Sequence, residues 1–469
     1  MVLGNTAVAL DRPAQAAEEP LSPARIVARI ERLPVAAWHA KVRLIVGAAT
    51  FFDAFDTLAI AFVIPALIGL WHLNPGQIGV LISTGFAGQF VGAAIFGWVG
   101  ERYGRISGLS WTIVILSVFG LACGFASSYQ QLLVLRFIQG LGLGGEIPVA
   151  ATYMNEIAKA GPRGRFVLWV QCVYPFGIMM SSFASVWVVP HLGWQWMFVI
   201  GAAPALLIWP LRLMVPESPR WLARKGRLTE ADMILTRIEN EISNNGARAL
   251  PPVPTDVPAD SDQRGYWTEL LSNFYRQRTI SLWVLWFCAA ALSQVLQAWL
   301  PTILRTVYKL PVSEALLYNA YGYVGLLIVC VTAAFTIDIV GRRALFLTAF
   351  AGAGILLFAV WLIADRGSAV PVMILASIAS TLASIMLLSF NVYGPEIYPT
   401  RIRSLGTGTA SSWARISAVV MPSVIGWIMQ AGRFEAIFLM STAIALIATI
   451  VAYLFVIETK GRPLEEISP

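Results

Sequence analysis

Charge is what this chain has least of. Only 13% of its 469 residues are Asp, Glu, Lys or Arg, whereas 57% are hydrophobic. The mean hydropathy of +0.70 lies outside the range of soluble globular domains, in which about a quarter of residues are charged. Cysteine is scarce as well. Cys123, Cys172, Cys288 and Cys330 share no spacing, which removes a disulfide framework and a thiolate metal site. The three histidines, His39, His72 and His191, stand apart from one another near the edges of hydrophobic runs. No phosphate-binding glycine loop or nucleophile constellation accompanies them, so the sequence indicates no enzyme and calls for no cofactor or metal. The N-terminal segment lacks the apolar core of a signal peptide.

Long apolar runs are what the chain has in abundance. A helix needs about 20 mostly apolar residues to cross a bilayer, and twelve such runs lie near 43–71, 77–99, 107–126, 130–157, 166–189, 194–214, 280–303, 316–337, 344–364, 370–393, 405–430 and 435–457. They are continuous and without period-two alternation, which excludes a closed barrel. The expected fold class is an all-α membrane protein of twelve transmembrane helices. Among the 33 basic residues, only Arg305, Lys309, Arg366 and Arg433 fall in loops on one side and Arg136 and Arg415 inside spans; all others lie on the opposite side or in the tails joined to it. The positive-inside rule then places both termini in the cytoplasm. The formal charge of +7 reads as membrane topology and points to lipid, not nucleic acid. A multi-pass protein of a bacterial cytoplasmic membrane, monomeric, is expected. The stretch PARIVARIERL, 23–33, reads as a short basic amphipathic helix on the inner leaflet or as a solvated arm.

Three charged clusters recur at nearly constant offset. GERYGRI (100–106) is echoed by IDIVGRR (337–343), NEIAKAGPRGR (155–165) by PEIYPTRIR (395–403), and PESPR (216–220) by IETKGR (457–462). Their acidic members, Glu101 and Asp338, Glu156 and Glu396, Glu217 and Glu458, are 237, 240 and 241 residues apart. Three pairs in register argue for a duplication. The resulting division is an N-terminal arm (1–42), a six-helix bundle (43–215), a Pro-, Asp- and Ser-rich linker (216–279), a second six-helix bundle (280–457) and a tail (458–469). The clusters are expected to form a cytoplasmic gate of Gly97, Glu101, Arg102, Gly104, Arg105, Asp338, Gly341, Arg342, Arg343, Glu156, Arg163, Arg165, Glu217, Arg220, Glu396, Arg401, Arg403 and Glu458. Charge-assisted bonds between neighbouring helices would break and reform there as the halves rock.

Over essentially its whole length the sequence resembles the major facilitator superfamily. Gly97, Glu101, Arg102, Gly104 and Arg105 match its Gly-x-x-x-Asp-Arg-x-Gly-Arg pattern with Glu in place of Asp, and RFIQGLGLGGE (136–146) is similar to its helix-four signature. PESPRWL (216–222) and ETKGRPLEE (458–466) are markers of its sugar-porter type, shared with the organic-ion, synaptic vesicle glycoprotein and bacterial niacin transporter branches.

Charged side chains at membrane depth are tolerated mainly beside a cavity or a partner. Here they are Asp53, Asp56, Arg136, Glu146 and Arg415. Asp53 lies about 15 Å into the first span at 1.5 Å per residue, near the midplane, and Asp56 follows three residues later on the same side of the helix. An Asp–Arg pair that can open is a proton switch. The resemblance implies that Asp56 faces Arg136, as in related proton symporters, and makes Asp56 the expected proton carrier. Asp53 completes a DAFD pattern similar to helix one of the aromatic acid and niacin symporters, as a second proton site or a substrate contact. Glu146 reads either as a capped carboxylate or as part of the proton path.

Arg415 discriminates between substrates, because its planar donor fork suits a carboxylate. Organic anion carriers of this superfamily place an Arg at about this point. Asp53 or Asp56 pairing internally with Arg415 is the alternative. Phe52, Tyr153, Trp169, Gln171, Tyr174, Gln294, Gln297, Trp299, Asn391, Tyr393 and Trp413 are aromatic or amide candidates for a pocket that would stack a flat ring and hydrogen-bond its polar atoms. The reading is thus a secondary transporter taking up nicotinate or a similar small aromatic monocarboxylate with protons. A benzoate-type symporter, a sugar symporter and a non-transporting sensor on the same fold are the alternatives.

Overall fold

The computed structural model describes residues 21–157, 163–243, 249–254, 266–366 and 368–459, without the side chains of 163–172, 294, 295, 329–340, 366, 400 and 404. The described residues form helices and no strand. In chain order these are α1 (Pro23–Glu31), α2 (Ala37–Thr57), α3 (Ala59–Trp71), α4 (Pro75–Tyr103), α5 (Arg105–Gly124), α6 (Tyr129–Ile157), α7 (Arg163–His191), α8 (Gln195–Gly201), α9 (Ile208–Met214), α10 (Pro219–Arg224), α11 (Leu228–Ile242) and α12 (Trp267–Leu270). The C-terminal part continues with α13 (Arg276–Thr306), α14 (Val312–Val340), α15 (Arg342–Ile363), α16 (Ala369–Glu396), α17 (Thr400–Gln430) and α18 (Glu435–Phe455). Among the described residues, eleven spans are long and apolar enough to cross a membrane; α14 occupies the place of the remaining sequence-predicted run. Leucine, isoleucine and tryptophan side chains such as Trp98, Trp111, Trp209, Ile355 and Leu446 stand exposed on the outside, as a lipid-facing surface requires.

Helix boundaries follow local chemistry. Asn74 and Gln77 cap each other reciprocally at 2.9 and 3.0 Å at the start of α4, with Pro75 at the first helical position, where its missing N–H costs nothing. Ser22 caps α1 and Ser218 caps α10, each accepting one backbone N–H on its hydroxyl oxygen. The first span is broken at Leu58 between α2 and α3. There Thr57 Oγ1 donates to the Asp53 carbonyl at 2.9 Å, and such back-bonding bends helices. The break falls directly after the two aspartates.

Three apolar cores organise the bundle. One is drawn wholly from residues 270–456, α12 to just past α18. Another comes from residues 26–242, which joins the cluster-bearing ends of α2, α5 and α6 to α1, α10 and α11. The third takes residues from both halves, among them Phe62, Leu81, Ile82 and Phe198 with Trp299, Tyr323, Met421 and Ile425. The halves are therefore sealed together on the face opposite the charged clusters. Gly79 and Gly426 make that seal possible, because a Cβ at Gly79 would stand 2.5 Å from the Pro422 carbonyl oxygen and one at Gly426 the same distance from that of Pro75. Ser83 and Ser423 share a 2.8 Å hydrogen bond across it.

The charged clusters all lie on the other face, together with α1 and Glu458. Arg29 of α1 pairs with Asp232 and, at 2.6 Å, with Glu239 of α11, Glu31 accepts from Arg220 at 2.6 Å, and Lys41 reaches Glu241 at 2.6 Å. The 23–33 segment thus docks on the linker helices. The stretch is helical, as one sequence reading had it, and its charged side chains are engaged by α10 and α11. Of the expected tail only Glu458 and Thr459, and of the linker only residues 216–243, 249–254 and 266–279, lie within the described residues.

Candidate functional site

The duplicated clusters fold into near copies. Glu217 accepts from the backbone N–H of Arg105 at 2.8 Å and of Ile106 at 3.2 Å at the start of α5, and Glu458 from those of Arg342 at 3.0 Å and Arg343 at 3.1 Å at the start of α15. Both satisfy the free amides of a helix N-terminus with an anion. Gly104 and Gly341 precede these helices with φ of 112° and 90°, and a Cβ at either would collide with the capping carboxylate. Arg105 pairs with Glu156 at 2.9 Å and Glu101 at 2.7 Å, while Arg342 pairs with Glu396 at 2.9 Å. Burial lifts the Glu217 carboxyl above its ordinary range, against the pull of the backbone amides of Ser218, Ile106, Arg105 and Ser107.

These bonds all close within one half. They join neighbouring helices, α5 to α6 and α15 to α16, and among the described residues no ion pair joins the two halves in this conformation. Arg102 is exposed beside Tyr103, Gly97 has open space around it, Arg401 pairs with Glu269 at 3.3 Å, and Arg403 donates to the Tyr398 carbonyl at 3.3 Å. The Arg163, Arg165 and Asp338 side chains lie outside the described residues.

A cavity of about 330 Å³ lies between the halves. It extends toward the cluster face, where Met154, Asn391 and Ser411 line it, and ends at the seal. Arg415, midway along α17, lines it together with Tyr174 of α7, Gln89 of α4, Thr50 and Thr57 of α2 and Gln297 of α13. Most of the remaining wall is apolar, with Trp286, Phe86, Leu143 and Leu388. The Arg415 guanidinium makes no hydrogen bond or ion pair with any described residue.

The carboxylates lie behind this wall, fully buried. Asp56 Oδ2 accepts from Arg136 Nη1 at 3.1 Å and from Gln139 Nε2 at 2.6 Å, and Arg136 also donates to Gln139 Oε1 at 2.7 Å. The Phe198 ring covers the guanidinium at 5.7 Å, and Asp56 Oδ1 has no partner among the described residues. Further toward the cluster face, Thr50 Oγ1 donates to Glu146 Oε1 at 3.0 Å, leaving Glu146 Oε2 bare. Asp53, 1% exposed, sits between these groups within electrostatic reach of Glu146, Asp56 and Arg415, and its Oδ1 is also unpartnered. The antiparallel packing of α2 against the glycine-rich α6 creates both rungs. Thr50 and Asp56, on α2, face Glu146 and Arg136 respectively, while the glycines of α6 let it approach α4 and α5 closely on its other sides.

Of the sequence-derived pocket residues, Arg415, Asn391, Tyr174 and Gln297 line the cavity. Tyr153 does not: it is fully buried and donates to the Pro216 carbonyl at 2.8 Å. Tyr393 is buried against Phe346 and accepts from Ile457 N–H; Trp413 stacks on Trp283 at 5.6 Å; Phe52 packs edge-on against Phe51. Trp299 is buried in the sealed core with Nε1 unpartnered. These five are corrected from lining to packing. The Trp169, Gln171 and Gln294 side chains lie outside the described residues. Sequence reasoning missed Gln89, Ser293, Ser384 and Trp286; a polar residue within an apolar run was the available signal for the first three. Among the described residues no group of His, Cys, Asp or Glu could hold a metal ion.

Residues 72–469 match the family described as sugar (and other) transporter. The chain is 32% identical over 451 residues to the niacin transporter NiaP of Acinetobacter baylyi, covering 94% of this chain and 99% of that one. It is 31% identical over 280 residues to the 4-hydroxybenzoate transporter PcaK of the same organism, covering 59% and 61%. Among solved structures, a D-xylose-proton symporter superposes with a TM-score of 0.72 at 20% identity, covering 90% of this chain and 99% of the other, a likeness of fold alone.

Proposed function

The chain belongs to the sugar (and other) transporter family of the major facilitator superfamily, and within it we propose that this protein takes up a small aromatic monocarboxylate, nicotinate or a benzoate-type acid, together with protons across a bacterial cytoplasmic membrane. The observation that carries the reading is Arg415, a guanidinium in the central cavity with no protein partner among the described residues. A guanidinium with no protein partner on the wall of a largely apolar cavity favours an anion, and its fork matches a carboxylate. The apolar and aromatic wall suits a flat ring, and the cavity is at the small end of the usual range for small-molecule sites. The named substrates of the relatives, niacin and 4-hydroxybenzoate, are both of this class.

Proton coupling rests on the carboxylates behind the wall. Asp56 is the proton carrier: a proton on it weakens its bond to Arg136, which then releases α2 from α6. Asp53 shares the field of Arg415, so an ionised Asp53 competes with the substrate anion for that cation. Anion and proton therefore bind together, and linkage makes the preference mutual. With the termini cytoplasmic, the cavity faces inward in this conformation, and rocking of the halves about the central site would expose it to the other side.

The test is uptake of labelled nicotinate and benzoate into proteoliposomes, with and without an inward proton gradient, for the intact protein and for Arg415→Ala. Gradient-stimulated uptake that is lost in the variant is the expected outcome. Accumulation of hexose with no uptake of either acid would overturn the reading in favour of a sugar symporter.

A further inference from the structure

The wall facing the carboxylates holds three serines and a glutamine, and one arrangement of their hydrogens satisfies all three hydroxyls together with the amide. Ser380 donates to the Ser293 carbonyl at 3.1 Å and Ser384 to the Ser380 carbonyl at 2.9 Å. Ser293, with its Oγ 2.6 Å from that of Ser384, gives the third hydroxyl hydrogen to that oxygen. All three hydrogens are then committed, and the serine oxygens can only accept. Gln297 Nε2 stands 3.0, 3.1 and 3.4 Å from the oxygens of Ser293, Ser384 and Ser380. Turning the amide over would set an acceptor against acceptors and forfeit these bonds. Nε2 therefore faces the serines, and Gln297 Oε1 is left as an acceptor with no partner among the described residues.

Gln297 also borders a small annexe of about 20 Å³ at the sealed end, lined in addition by Asn319, Tyr323 and Ser380. Asn319 and the Tyr323 hydroxyl lie beside each other there, and neither Asn319 Nδ2 nor that hydroxyl makes a well-formed hydrogen bond with a described residue, in side chains that are each 3% exposed. A space needs about 10–15 Å³ to take one water-sized oxygen, so the annexe takes one. An oxygen placed there meets a donor, Asn319, and an acceptor, Gln297. A hydroxyl or a water satisfies both at once; a carboxylate, a ring nitrogen or a methyl group does not.

We propose that the annexe is the subsite for a hydroxyl substituent on the ring of the transported acid. The preferred substrates are then hydroxylated aromatic carboxylates, held at Arg415 by the carboxylate and at Gln297 and Asn319 by the hydroxyl. This rests on the reading of Arg415 as the carboxylate anchor. When the substituent is absent, a water takes its place.

The experiment is calorimetric titration of the purified full chain with benzoate, 3- and 4-hydroxybenzoate, 3- and 4-methylbenzoate and nicotinate, repeated in Asn319→Leu and Gln297→Leu. One hydroxy isomer binds about tenfold tighter than both benzoate and its methyl counterpart, the worth of one hydrogen-bonded substituent, and the ratio falls to about one in both variants. Equal binding of hydroxylated and unsubstituted acids means that the annexe holds water only and overturns the proposal while leaving the carboxylate reading intact. A ratio that persists in both variants also overturns it. If no aromatic acid binds, the carboxylate reading fails and this proposal falls with it. The ratio in the unaltered protein decides the matter even where a variant fails to fold.

Discussion

Asp53, Asp56, Arg136 and Glu146 belong to α2 and α6 of the first half, whereas the opposing wall from α13, α14 and α16 offers Ser293, Gln297, Asn319 and Ser384, all uncharged, with Arg415 on α17 as the second half's intramembrane charge. At the cluster face the two halves are instead near copies, down to the glutamate that caps α5 and α15. Residues stayed alike where both halves perform the same mechanical task, and diverged in the membrane interior, where one half is equipped to hold protons and the other to hold a substrate. Asp53, Asp56 and Glu146 are kept behind the cavity wall, where Thr50, which lines the cavity, donates to Glu146. The neutral amides face the cavity directly, as hydrogen-bonding groups that carry no net charge must do to read a substrate at close range.

The comparison can be broken most severely at Arg415. Arg415→Ala should weaken binding of an aromatic carboxylate by about a hundredfold, since removing one partner of a desolvated charge pair costs roughly 2–5 kcal/mol; titration of the purified protein measures it, and unchanged affinity would place the anion elsewhere. Asp56→Asn should abolish proton-driven accumulation while changing affinity by no more than about threefold, because Asp56 touches Arg136 and Gln139 and not the cavity. Counterflow of labelled substrate, retained in the variant, separates lost coupling from lost binding.

Smaller effects sharpen the contrast between the sealed and open faces. Gly426→Val sets a side chain against the Pro75 carbonyl; overpacking of this kind costs about 1–3 kcal/mol. The protein should shift toward opening at the sealed face, detected as new labelling of a cysteine introduced at Ser83. Glu217→Gln should have the least effect. Burial raises this carboxyl in the folded protein, so the folded state holds its proton more firmly than the unfolded chain. That contribution to stability is full below the unfolded value, about 4.3, and is lost as pH rises through the folded one. Melting temperature followed against pH should therefore show a shallower decline over that interval in the variant.

Much of this architecture was legible in the chain. The spans and the duplicated clusters follow from long apolar runs and repeated charged patterns, and the placement of Asp56 opposite Arg136 was implied by the resemblance to related proton symporters. Other features were hidden for a physical reason. A helix that faces lipid on one side and protein on the other is apolar all round, so periodicity gives no phase. Tyr153 and Tyr393 consequently read as pocket residues although each is buried in packing, while Trp286, which lines the cavity, reads as one more membrane tryptophan. The docking of α1 on α11 was equally invisible, since a basic amphipathic segment suits an acidic helix and an anionic leaflet alike.

By itself the sequence determined that the chain crosses a membrane as helices, that its halves repeat, and that a few charges are held inside at a cost, because each of these is set by composition and spacing along one dimension. Only the tertiary structure decided which carboxylates are sealed away and, among the described residues, that Arg415 is left without a partner and that the gate bonds close within each half. Those outcomes depend on the rotation of each helix about its axis and on which face of the bundle is shut, and both are fixed by packing between residues hundreds of positions apart.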